Sequence, residues 1–418
     1  MPGALEAVAS RLDARLEPHS GAPLALGLSG GGDSTALLAL TVDWAARRGR
    51  RIVALTVDHG IQAAGSDWAR RCAALCSRLG LEHRTLVWSG DKPRTGLAAA
   101  ARLARHRLLA DAARLAGARV LLLGHTADDR IEAAQMRRAG STVGDPREWA
   151  PSPVWPEGRG LFLLRPMLGL RRAALRDVLR ARDLPWIEDP ANSDPTSARA
   201  VARRDGPEGA ASPPTPQEPV DPALEAVPGG GLRHRPALGP VDLRQLSAAV
   251  VCAGGGEALP RGPRLSDLLG RLREVRPFVA SLGGARVEAG PEDLLIGREA
   301  GALSRGGTAP VPLIPGAPQV WDGRFELLVS RPGLSVRPLG GAARRLPARE
   351  TARLKAFGAP WRPTLPLVIG EGVASCPILA QDSLTTVREL VFDRYRAAIG
   401  AICREAAIGR VEIGGSNP

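Results

Sequence analysis

Leu24-Ala-Leu-Gly-Leu-Ser-Gly-Gly-Gly-Asp-Ser34 begins as a short apolar run, passes through three consecutive glycines and enters a helix-patterned stretch at 34–48. A strand that ends in glycines and turns directly into a helix is one β–turn–α unit. The pattern recurs on either side of it. Arg51-Ile-Val-Ala-Leu-Thr-Val57 is rich in β-branched residues, ends in Asp58-His59-Gly60 and precedes a helix over 66–79. A long Ala/Leu/Arg helix follows over 97–117, then the run Arg119-Val-Leu-Leu-Leu123, Gly124-His125 and a helix over 127–138. Leu161-Phe-Leu-Leu164 and a helix over 170–182 repeat the unit once more. Strands that are apolar throughout, alternating with helices, predict an α/β fold with a parallel sheet covered on both faces. In such sheets ligands bind beyond the carboxyl ends of the strands. Ser29–Ser34, Asp58-His59 and His125–Glu132 all fall at such ends, so an active site is expected there.

The 418 residues suffice for two or three domains at roughly 100–200 residues each. With 44% hydrophobic and 24% charged residues, the chain reads as soluble and globular with a real core. No run approaches the roughly 18 apolar residues of a membrane span. The opening residues carry acids and no apolar run, which excludes a signal peptide from the reading. Five thinly spread cysteines point to a reducing, cytoplasmic setting. Cys72 and Cys76, spaced C-x3-C in a helix, read as core residues. Lys+Arg 56 against Asp+Glu 43 gives a net charge of +13, which favours a polyanionic partner. Coding bias explains why Lys92 and Lys355 are the only lysines, but exchanging Lys for Arg leaves net charge unchanged. Aromatics at 3% are too scarce for a base-stacking platform, so a nucleic acid would be held by backbone charge and shape.

The expected organisation is a catalytic domain over 1–204, a linker over 205–240, a second mixed helix/β domain over 241–378 and a C-terminal segment over 379–418. The linker rests on nine Pro and six Gly in 36 residues, which remove helix donors and favour extended chain. Helices are expected over 241–273, and hairpin-like strands at 285–299 and around Asp322-Gly323.

The glycines of Ser29-Gly30-Gly31-Gly32-Asp33-Ser34 allow close approach of an anion to the backbone, and the following helix offers free N–H groups and its positive dipole end. A Walker loop would require Gly-Lys-Ser/Thr, and a dinucleotide fingerprint G-x-G-x-x-G; neither is present. Asp58-His59 is either a plain turn or a wall of the same pocket. In Gly124-His125-Thr-Ala-Asp128-Asp129-Arg130-Ile-Glu132 the three acids can share a helix face. They suit a hard cation such as Mg²⁺, at Asp128 and Asp129, as well as simple complementation of the helix dipole. His125 could move protons near pH 7.

SGGGDS resembles the SGGxDS signature of the PP-loop ATP pyrophosphatases. With it VDHG, Ala101-Arg102…Arg105, GHTADDRIE, LLRPML, WIEDPANSD and Arg199…Arg203 occur in the order of the bacterial tRNA(Ile)-lysidine synthetase family. LGGARV (282–287), IGREAG (296–301) and VWDGRFEL (320–327) resemble its second domain. The resemblance implies a PP-loop catalytic domain with a smaller second one. It also implies a ligase that uses ATP and Mg²⁺ to adenylate C2 of the wobble cytidine in a CAU-anticodon tRNA(Ile). Free L-lysine then displaces AMP. On the same basis Ser29, Gly30, Gly31, Gly32, Asp33, Ser34, Asp58 and His59 bind ATP. Asp33, His125, Asp128, Asp129 and Glu132 are catalytic, and Arg102, Arg105, Arg199 and Arg203 meet phosphate or tRNA. Arg199 and Arg203 read equally as a solvated helix face. Departures from the family pattern are Arg130 in place of Gln, Ala133-Ala134 where a hydroxyl is usual, and a reduced R-N-x-I-R signature. The competing readings are another carbonyl-adenylating PP-loop enzyme, thiolating or amidating, and an inactive RNA-binding member. A monomer and a homodimer are equally compatible with the sequence.

Overall fold

The apolar runs pair with one another as their composition demands. The computed structural model describes residues 2–188, 218–257, 262–274, 276–291, 293–380 and 384–409. Its first unit comprises Met1–Glu218 together with Ile402–Gly409, and its second Pro219–Ala401. The first unit contains α1 (Pro2–Arg15), β1 (Leu24–Gly27), α2 (Gly32–Arg48), β2 (Ile52–Asp58), α3 (Gly65–Arg78) and β3 (Glu82–Val87). It continues with α4 (Leu97–Leu115), β4 (Val120–Leu122), α5 (Ala127–Arg138), β5 (Trp149–Pro151), β6 (Phe162–Leu164) and α6 (Arg172–Ala181). The six strands form one sheet in the order β3-β2-β1-β4-β6-β5. All neighbours run parallel except β5, which is antiparallel to β6 and closes one edge.

β1 lies between β2 and β4, with Leu24 opposite both Ile52 and Val120. α4 covers one face, packing Leu109, Ala110 and Ala113 with Ala25, Val53, Leu55, Leu121 and Leu163. Leu24 and Leu26 point the other way and are equally buried, so the sheet is covered on both sides. That double burial is why the central strands are apolar at every position. β3 was not foreseen: its exposed positions carry Glu82 and Val87, as an edge strand permits, and the apolar run that marks its neighbours is missing. Cys72 and Cys76 are buried in α3, and burial pushes the Cys76 thiol up to about 12.

Ile402–Gly409 joins this unit through a fully buried ion pair. Arg50 donates from Nη1 and Nη2 to the two Glu405 oxygens, each at 3.0 Å. Glu17 N also donates to Glu405 (2.9 Å), and Trp149 Nε1 to Ile402 O (2.8 Å). Removing one partner of such a pair costs about 3–5 kcal/mol, because the other charge stays buried.

The second unit has a five-stranded antiparallel sheet ordered Glu225–Val227, Gly231–His234, Leu294–Arg298, Ala285–Ala289, Phe278–Leu282. Leu243–Ala253, Pro263–Arg273 and Val391–Ile399 are helices contributing to its core. Four further strands (Val311–Pro312, Ser335–Pro338, Pro366–Gly370, Val373–Ser375) and three more (Gln319–Trp321, Phe325–Val329, Thr385–Glu389) form two smaller sheets. Buried Arg324 donates to Gly229 O and Thr364 O and pairs with Asp322.

Two expected boundaries differ from this arrangement. Of the linker expected over 205–240, residues 205–217 lie outside the described residues. From Pro219 the chain belongs to the second unit, and Glu225–Val227 pairs with Gly231–His234 as a hairpin. The Gly229-Gly230 turn accounts for part of the glycine count, since both have positive φ. The C-terminal segment expected over 379–418 is divided: Thr385–Ile399 supplies a strand and helix to the second unit, while 402–409 returns to the first. Among the described residues no helix is long and apolar enough to cross a membrane.

Candidate active site

β1 and β4 are adjacent and parallel, so their carboxyl ends open on the same side, and each turns into a helix there. After β1 the chain makes the glycine loop. Gly30 adopts φ 82°, a conformation that favours glycine, and its carbonyl accepts a bond from Ile187 N at 2.8 Å. Ser34 Oγ donates to Gly31 O (3.0 Å), accepts from Ser29 N (3.2 Å) and lies 3.1 Å from Ser29 Oγ. The loop is thereby closed on itself, while α2 begins at Gly31 with no side chain capping it. Its first N–H groups are left for a ligand, as an anion site requires. Gly124 packs against this start: a Cβ there would stand 3.0 Å from Ser34 N.

After β4 the helix start is handled differently. Thr126 N and Oγ1 donate to Asp129 Oδ2 at 2.8 and 3.0 Å, a capping box that closes the N-terminus of α5 with its own acid.

Arg172, at the first position of α6, ties the two starts together. Its Nε donates to Asp33 Oδ2 (3.0 Å), Nη2 to Asp129 Oδ1 (3.0 Å) and Nη1 to Glu132 Oε1. Burial opposes the charge on Arg172, but Glu132, Asp129 and Asp33 outweigh it and raise its pKa. Burial raises the Asp33 carboxyl despite Arg172, and Oδ1 of Asp33 is buried without a hydrogen-bond partner. Burial works in the same direction on Asp129, yet Arg172, His125 and the Thr126 bonds hold it below the ordinary carboxylate value. No motif in the sequence points to Arg172. Its signal is the position: two arginines and no acid at a helix start, where the dipole disfavours cations.

The expected residues divide into three groups. Ser29, Gly31, Gly32, Asp33, Ser34, Asp58, His59, His125 and Asp129 line one cleft of about 790 Å³ in the first unit, with Arg105, Arg172 and Arg176. Asp58 Oδ1 accepts from Gly60 N (2.9 Å), which shapes the turn. His59 stands edge-on to Trp88, its ring held neutral by burial and by Arg105. Gly30, Asp128, Glu132 and Arg102 are outside that lining. Asp128 turns to α6, where Oδ2 accepts from Arg172 N (2.8 Å) and Oδ1 pairs with Arg171 (3.2 Å). This is a helix-capping role, and it departs from the catalytic and metal roles expected of Asp128. Arg102 is exposed on α4, and with Arg105 it depresses buried His106, whose pKa falls to about 3, burial being the larger cause. Arg199 and Arg203 lie outside the described residues.

Among the described residues no group of three or more His, Cys, Asp or Glu is arranged to hold a metal. Asp128 and Asp129, the expected Mg²⁺ pair, have all four oxygens engaged by protein groups in this arrangement. Asp33 Oδ1 does fit a magnesium ion, which takes one or two carboxylates beside substrate phosphates.

Residues 4–205 match the PP-loop domain family. The tRNA(Ile)-lysidine synthase of Caulobacter vibrioides is 47% identical over 411 residues, covering 96% of this chain and 99% of that relative. That of Mesorhizobium japonicum is 34% identical over 382 residues, covering 81% and 79%. Among solved structures, the U34-tRNA thiolase NcsA from Methanococcus maripaludis, with its [4Fe-4S] cluster, superposes with a TM-score of 0.41 at 16% identity, covering 49% of this chain and 72% of that one.

Proposed function

The chain belongs to the tRNA(Ile)-lysidine synthase family, and on that premise we propose how its first unit joins free L-lysine to the wobble cytidine of a CAU-anticodon tRNA(Ile) at the expense of ATP. The observation that carries the reading is the pairing of two unlike helix starts in one cleft. The open start of α2 suits the pyrophosphate part of ATP. The start of α5 is closed by its own Asp129 and instead places an ionised carboxylate beside His125 in the cleft.

In the first step the cytidine O2 attacks the α-phosphorus of ATP, the bond to the β-phosphate oxygen breaks, and pyrophosphate leaves. A ring carbonyl oxygen is a poor leaving group, and adenylation makes it a good one. In the second step the lysine amine attacks C2 and the C2–O2 bond breaks, O2 departing with AMP. The amine must be unprotonated, so the proton of its ammonium form goes to a base. His125, which lines the cleft and faces Asp129, is the group suited to take it near pH 7. Arg172 keeps Asp129 ionised and in place, and Asp129 in turn stabilises a charged His125. Asp33 Oδ1 would hold a magnesium ion, which would supply neutralisation of the phosphate charge. Arg105 at the cleft rim and exposed Arg102 one turn away suit an RNA phosphate.

Labelled lysine, ATP, Mg²⁺ and a CAU-anticodon tRNA(Ile) test this directly. Incorporation that requires ATP and is abolished by a C-to-U change at the wobble base supports the reading. Pyrophosphate release with a different acceptor would move the protein to a thiolating or amidating branch. tRNA binding with no turnover at all would leave the inactive binder.

A further inference from the structure

A glycine loop that binds phosphate by backbone alone lacks the lysine with which a Walker loop neutralises charge, and Ser29–Ser34 contains no cation. α6 supplies two from one face. Arg172 and Arg176 are one turn apart, and both reach the start of α2. Arg172 is saturated by Asp33, Asp129 and Glu132. Arg176 is not. Its Nε is buried without a hydrogen-bond partner, and among the described residues its ion pair is Nη1 to Glu188 Oε1 at 3.0 Å, whose side chain is 77% exposed. The guanidinium lies over the Trp186 ring, 5.0 Å from its centroid, and Trp186 Nε1 donates to the same Glu188 oxygen at 3.1 Å. Trp186 and Glu188 thus bracket the guanidinium from outside while its inner edge faces the loop.

Gly32 shows how closely it does so. A Cβ built on Gly32 would collide with Arg176 Nε and lie 2.7 Å from Cζ, so the absence of a side chain at the first position of α2 admits the guanidinium against the helix start. Gly32, Asp33, Arg176, Ile187 and Glu188 all line the same cleft. We propose that Arg176 is the missing cation of the phosphate loop, a residue that contacts the β- and γ-phosphates of ATP and holds pyrophosphate as it leaves. Nothing in the SGGxDS signature locates it, because it arrives from a helix about 140 residues downstream. A planar guanidinium pinned on one edge presents its remaining N–H groups in fixed directions, which suits a pyrophosphate better than a mobile ammonium would.

The proposal rests on the adenylating reading above, and its test separates the two. Binding of ATP, inorganic pyrophosphate and AMP is measured by calorimetry on the full chain, for the wild type and for Arg176→Ala and Arg176→Lys. AMP lacks the β- and γ-phosphates and serves as the internal control for the fold. Loss of one charge-assisted contact should weaken ATP and pyrophosphate roughly 10- to 100-fold in Arg176→Ala while AMP binding is unchanged. Arg176→Lys should recover part of the loss. Unchanged pyrophosphate binding in Arg176→Ala would overturn the proposal and leave the adenylating reading standing. Equal loss of AMP and pyrophosphate would overturn it too, by showing that Arg176 only supports the fold. A wild-type chain that binds none of the three ligands would remove both.

Discussion

α2 and α5 start side by side, at the ends of adjacent parallel strands, and face one cleft, yet their first turns are built for opposite purposes. α2 begins in glycine with no side-chain cap and carries its acid, Asp33, with one oxygen unpartnered. α5 begins in Thr126 and bends its acid, Asp129, back onto the Thr126 N–H and hydroxyl. An acid in the first turn of a helix is ordinarily stabilising. Here only one of the two is used that way. The other gives up part of that stabilisation to burial, and its helix start remains available to an incoming phosphate.

The largest expected effect treats the two acids alike. Asp33→Ala and Asp129→Ala should each lower lysine incorporation by about 10²-fold or more while tRNA binding persists. A variant with near-normal turnover would take its residue out of the mechanism. Next, Gly32→Ala should separate the helices: its Cβ displaces Arg176 and weakens ATP by about 10-fold. Ala127, at the equivalent position of α5, already carries a Cβ, so no such constraint operates there. An unchanged KM for ATP in Gly32→Ala would erase the distinction.

Smaller effects lie in stability. Asp129→Ala should cost about 1–2 kcal/mol and Thr126→Ala about 0.5–1 kcal/mol, both through the capping box, as read by denaturant melts. Asp33→Asn should melt no lower than wild type at pH 7, and higher if magnesium is absent. The pH dependence follows from the opposite shifts. Asp33 is raised, so the folded protein binds its proton more tightly than the unfolded chain, and ionised Asp33 opposes folding at all pH above its folded pKa. That penalty vanishes below the unfolded value of 3.8, and with it the advantage of Asp33→Asn. Asp129 is lowered, so its stabilisation is complete above 3.8 and is lost as pH falls through its folded value. Parallel pH profiles for Asp33→Asn and Asp129→Asn would contradict the division between the two helix starts.

How much of this was legible depends on how far apart the interacting residues lie in the chain. The strands β1, β2, β4 and β6 and the glycine loop were readable because their evidence is contiguous: apolar runs, then glycines or polar residues, then helix periodicity. β3 was not, since an edge strand has no need of an apolar run. Arg172 and Arg176 look in sequence like the solvated face of an amphipathic helix, and only the position of α6 against α2 turns them inward. Asp128 and Asp129 are neighbours with the same composition around them, yet one caps α6 and the other caps α5 and faces the cleft. No local pattern distinguishes them. Pro and Gly between 218 and 240 concealed a hairpin, because proline is tolerated between strands as well as in free linkers.

By itself, then, the sequence determined the alternation that makes the sheet, the glycine loop at the carboxyl end of one of its strands and the net charge of +13. These are properties of short segments, set by backbone freedom, side-chain shape and composition. The tertiary structure alone decided which acid is held ionised, which arginine is saturated, and that Glu405 is buried against Arg50 355 residues away. The charge state and free valence of a side chain depend on what surrounds it in space, and for these residues the surroundings come from distant parts of the chain.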